Sequence, residues 1–145
     1  MAVAGKQTGF TLLELLVVVA IIGLGTAGVA LAMRDGTQSQ LEREAQRLSA
    51  LLESARAQSR SAGVPVRWVG TAQGFRFEGL PLLAFPSHWL NGDTSLQANT
   101  SIMLGPEPLI GRQAIVLTSQ TQPGHSLTVA TDGLQPFRVQ VGAQP

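Results

Sequence analysis

From Leu15 to Met33 the chain carries no charged side chain, and a single carboxylate, Glu14, stands immediately before that run. As a helix, Phe10 to Met33 covers about 36 Å, against a hydrocarbon core near 30 Å. A segment of this kind should shed ionisable groups, because a carboxylate in the bilayer core costs about 2.5–3.5 kcal/mol on insertion scales. Glu14 therefore requires a partner or a special position.

Three readings of this segment compete. An ordinary secretory signal would use Lys6 as its basic start and Ala30-Leu31-Ala32 as a small-x-small cleavage site. Against it, the apolar run exceeds the usual 7–15 residues and Glu14 interrupts its start. A plain single-span anchor accounts for the length and leaves Glu14 unexplained. The third reading rests on Gly9-Phe10-Thr11-Leu12-Leu13-Glu14-Leu15-Leu16-Val17-Val18. This stretch closely resembles the class III signal of type IV pilins and type II secretion pseudopilins.

The resemblance implies that a prepilin peptidase in the inner membrane cuts between Gly9 and Phe10 and methylates the new Phe10 amine. It also implies that Glu14 is needed for assembly. After such a cut the acid lies four residues from the Phe10 amine, in the first helical turn, where the helix dipole favours a carboxylate. In filaments of the family this glutamate meets the amine of a neighbouring subunit, so two costly charges neutralise each other in an apolar bundle.

The remaining composition excludes more than it suggests. Lys6 is the sole lysine, so a chain starting at Phe10 has nine Arg against nine acidic residues. No basic face stands out, and nucleic acid is not expected as a partner. There is no Cys, and His88 and His125 are isolated from other ligand-type residues. No nucleophile elbow, phosphate loop or metal-ligand spacing occurs, so no catalytic residue, metal or cofactor is expected and the chain reads as a building block, not an enzyme. Major pseudopilins bind calcium through an acidic C-terminal loop, whereas the last third here offers Glu107 and Asp132 alone.

Four segments follow: a leader over 1–9, a transmembrane and assembly helix over 10–33, an amphipathic continuation over 34–63, and a β-rich domain over 64–145. Leu41, Ala45, Leu48, Leu52, Ala55 and Ala62 recur at helical spacing, with Glu42, Gln46, Glu53, Arg56 and Arg60 expected on the opposite side. One helix from about Thr11 to Ala62 is predicted, stopped by Gly63, with bending or local melting at Arg34-Asp35-Gly36. Beyond it the period becomes two. Val64, Val66 and Trp68 share one strand face, Phe75 and Phe77 another, and the two form a hairpin. Further strands are predicted at Ser101–Leu104, Gln113–Ser119, Ser126–Thr131 and Phe137–Val141, the last two joined through Asp132-Gly133. Prolines and glycines from Leu80 to Arg112 argue against a long element there. Within it, Phe85-Pro86-Ser87-His88-Trp89-Leu90 covers the domain's own sheet or contacts another subunit.

The expected fold is α+β, a long N-terminal helix, transmembrane in its first half, packed on a C-terminal antiparallel sheet. Gly105-Pro106-Glu107-Pro108-Leu109-Ile110-Gly111 and Ala130-Thr131-Asp132-Gly133-Leu134-Gln135-Pro136-Phe137 look like the H family of minor pseudopilins of type II secretion. That resemblance implies a single-pass inner-membrane protein whose domain lies in the periplasm and enters the pseudopilus. Its partners would be minor pseudopilins I, J and K, the major pseudopilin G and the assembly platform. A minor type IV pilin serving pilus assembly or DNA uptake shares the leader and the fold. A signal-anchored periplasmic protein is the third alternative.

Overall fold

The computed structural model of the protein describes residues 10–81 and 84–141. One helix, α1 (Leu12–Ala62), is followed by seven strands: β1 (Val66–Thr71), β2 (Gly74–Glu78), β3 (Thr94–Leu96), β4 (Ser101–Gly105), β5 (Gln113–Ser119), β6 (Ser126–Thr131) and β7 (Arg138–Val141). The chain divides into two compact units, Met1–Gly36 and Thr37–Pro145. The helix continues through residues 34–36, so the local melting expected there is not found.

Two local signals set the helix ends. At the start, Thr11 stands outside the first turn and its carbonyl accepts the Leu15 N–H at 3.2 Å. At the other end, Gly63 takes φ +65° and the Val64 N–H returns to the Ser59 carbonyl at 3.2 Å. That return bond closes a Schellman cap, which the missing Cβ of glycine makes inexpensive.

In the second unit the predicted stripe is the core. Leu41, Ala45, Leu48, Leu52 and Ala55 are buried against Val66, Trp68, Ile102, Leu104, Ile115, Leu117 and Val129. Ala62 is exposed, because the chain has already reached its cap, and Val64 lies outside β1 at 41% exposure. Strands β5 and β6 alternate regularly, with Ile115, Leu117, Leu127 and Val129 inward, as period-two patterning requires. Trp89 belongs to the same core, its ring 4.7 Å from that of Phe75. Trp89 and the half-buried Phe85 thus pack on the domain's own core, while Leu90 of the same segment is exposed.

The strands form two antiparallel sheets where a single one is expected from the sequence: β2-β1-β4 and β3-β5-β6-β7. The division arises between β3 and β4. Strand β3, inside the proline-rich stretch, pairs with β5 through Thr94, Ser95 and Leu96. After Gln97 donates to the Val116 carbonyl, the chain leaves β5, and β4 pairs with β1. A side chain bridges the gap. The Gln113 amide accepts the Met103 N–H and donates to the Met103 carbonyl, both at 2.9 Å, in place of a backbone ladder. A long N-terminal helix packed on antiparallel sheets is the α+β arrangement of pilin-like subunits.

Candidate functional site

Every described residue from Phe10 to Ala32 is exposed, including Leu12, Leu13, Leu15, Leu16, Ile21 and Ile22. Exposed leucines, valines and isoleucines on all sides of one helix call for a non-aqueous environment. The helix is long and apolar enough to cross a membrane. At its mouth, Thr11 Oγ1 accepts the Glu14 N–H at 3.2 Å. Thr11 is therefore the N-cap and Glu14 the third helical residue, the Thr-x-x-Glu spacing of a capping box. The Glu14 carboxylate sits in the first turn, near the positive end of the helix dipole. Phe10, 82% exposed, immediately precedes the cap. Gly9 lies outside the described residues.

A second polar arrangement, inside the Thr37–Pro145 unit, clasps the loops onto the helix. Arg56 is 4% exposed and donates from one terminal nitrogen to the carbonyls of Pro108 and Gly133, each at 3.2 Å. Glu53 accepts the Phe137 N–H at 2.9 Å, and Ser49 donates to the Phe137 carbonyl at 2.6 Å. The two C-terminal segments singled out from the sequence, 105–111 and 130–137, are thereby tied to one side of the helix. Gly133 adopts φ +93°, and a Cβ there would lie 1.9 Å from the Ile110 carbonyl oxygen, so the two loops touch at backbone level. Asp132 turns its own loop, accepting the N–H groups of Gln135 and Leu134 at 2.8 and 2.9 Å. Those bonds hold its carboxyl below the usual carboxylate range.

On the other flank, Glu44 is 2% exposed. It pairs with Arg47 at 2.8 Å and accepts the Leu90 N–H at 2.7 Å, while Arg47 also donates to the His88 carbonyl. Asn91 donates to Gln40. These contacts dock the loop that carries Trp89.

Arg56 corrects the expectation of a solvent-facing position, and Glu44 escaped notice altogether. Both were accessible to a stricter use of helical spacing. Arg56 follows Leu52 by four residues, and Glu44 falls three after Leu41 and four before Leu48. Those intervals place both on the core side. Their charge outweighed their position, although a buried charge is tolerated where backbone groups bind it.

No group of three or more potential metal-ligating side chains, His88 and His125 included, occurs among the described residues. Asp93 accepts the Ser119 hydroxyl and the Thr121 N–H, tying the β5 end to the start of β3.

Residues 5–30 match the family model described as the prokaryotic N-terminal methylation motif, a stretch that contains Gly9, Phe10 and Glu14. The match supports a type IV pilin-like class, with processing by a prepilin peptidase and pilin-like assembly, and the apolar helix fits a membrane anchor. No curated protein and no solved structure matches the chain.

Proposed function

We propose that this protein is a minor pseudopilin of the H type, a structural and non-enzymatic subunit of the type II secretion pseudopilus. In this reading Gly9 and Phe10 flank the leader cleavage site, Phe10 is N-methylated, and Glu14 drives assembly. Residues 10–33 hold the subunit in the inner membrane and the β-rich domain stands in the periplasm. Extraction by the assembly platform would place it between the tip formed by pseudopilins I, J and K and the major pseudopilin G. The growing pseudopilus then pushes folded proteins through the outer membrane.

The observation that carries the reading is the N-terminal motif on a capped apolar helix that continues into an α+β domain. The H type rests on the resemblance of the two C-terminal segments 105–111 and 130–137, which meet at Arg56 in this fold. In this reading the Glu14 carboxylate, in the first helical turn, meets the amine of a neighbouring subunit, a pairing that offsets desolvation of both charges.

The test is the distribution of exported enzymes between periplasm and medium in a strain lacking the protein. Periplasmic accumulation, rescued by the wild type and not by Glu14→Ala, is expected. Normal export in the deletion strain would transfer the assignment to a minor type IV pilin or to a signal-anchored periplasmic protein. Intact mass gives the processing arm: a bulky residue at Gly9 should leave the chain uncut.

A further inference from the structure

The loop that carries Trp89 ends in Asn91-Gly92, and glycine is the residue whose backbone nitrogen has no neighbouring Cβ to obstruct an approaching group. Space around Gly92 is open, since a Cβ built there would meet nothing within 4 Å. The Asn91 side chain is held at both ends. Its Oδ1 accepts the Asp93 N–H at 3.1 Å, and its Nδ2 donates to Gln40 Oε1. The first bond folds the side chain back over its own turn and polarises the amide carbonyl. The second ties the amide nitrogen to the helix.

We propose that Asn91 is a site of spontaneous deamidation, activated by its own turn and guarded by Gln40. The Gly92 nitrogen bonds to Asn91 Cγ, the Cγ–Nδ2 bond breaks, and Nδ2 departs as ammonia carrying the Gly92 proton. Water then opens the cyclic imide at either carbonyl, leaving aspartate or isoaspartate. No other reactant is needed. The Leu90 N–H on Glu44, at 2.7 Å, and the Thr94 N–H on the Asn91 carbonyl, at 3.1 Å, pin the backbone on both sides. While the loop is docked, the side chain therefore reaches the attack geometry only by giving up its bond to Gln40. Either product loses that donor and brings a carboxylate into the hollow lined by Gln40, Arg43 and Glu44. Isoaspartate also lengthens the backbone between the Leu90 anchor and β3. The site is independent of the secretion reading.

Asn91 and Asn99 are the two asparagines of the chain, and Asn99, exposed and followed by Thr100, is the internal reference. Full-length protein in detergent is held at mildly alkaline pH, and peptide mass spectrometry follows amide-to-acid conversion at each position. Asn91 should convert several-fold faster than Asn99. Q40A should accelerate Asn91 several-fold further and leave Asn99 unchanged. Q40E, which still accepts from Nδ2, should keep the wild-type rate, and G92A, which the open space admits, should suppress conversion at Asn91. Asn91 converting no faster than Asn99, indifference to Q40A, or equal acceleration by Q40A and Q40E would overturn the proposal.

Discussion

Replacing Arg56 by Leu keeps the apolar volume near Leu52 and removes two hydrogen bonds, to Pro108 and Gly133. Bonds from a charged donor are worth about 1.5–3 kcal/mol each, and the two carbonyls would lose their donor. Against this, the variant no longer desolvates a guanidinium, which offsets part of the loss. Glu53 lies 3.8 Å from Arg56 and is 31% exposed, so its ion pair adds little. The balance is a destabilisation of about 2–4 kcal/mol. For a domain of this size that lowers Tm by about 10–20 °C. Both tryptophans, Trp68 and Trp89, are buried in the β-rich domain's core, so near-UV circular dichroism of the full-length protein in detergent follows that domain alone. The loops 105–111 and 132–137 should become protease-sensitive at temperatures where the wild type resists. A Tm within about 2 °C of wild type would refute the argument, since it would mean that the loops dock without the guanidinium.

Gly133→Ala tests the same junction from the loop side. Its φ of +93° and the Ile110 carbonyl 1.9 Å from the new Cβ force the loops apart, and a loss of about 2–4 kcal/mol is expected in the same melting assay. Asp93 has its carboxyl lowered from the ordinary value of 3.8, first by the Ser119 hydroxyl and then by Thr121 and Gln120 backbone groups, against some desolvation. A depressed folded-state value contributes stability that is complete above the unfolded value and is lost as pH falls through the folded one. Asp93→Asn should therefore flatten the stability profile below pH 3.8 and lower stability at neutral pH, as followed by acid titration of tryptophan fluorescence.

The N-terminal half was legible because its information is local. An uncharged run of that length suits lipid by composition alone, whereas the Thr11 cap over Glu14 came with the structure. Gly63 as a stop, the apolar stripe from Leu41 to Ala55 and the alternation in β5 and β6 likewise depend on periods of a few residues, which a sequence displays directly. What the fold alone decided involves partners far apart in the chain. Arg56 reaches Gly133 across 77 residues, and Glu44 reaches Leu90 across 46. Nothing near either side chain announces those backbone groups. The split into two sheets is of the same kind. Local pattern makes β4 and β5 strands, but the crossing from β5 to β1, and the Gln113 amide that spans it, exist once both edges are packed on the helix. Periodicity determines which way a side chain points, and the tertiary structure determines which backbone groups it meets there.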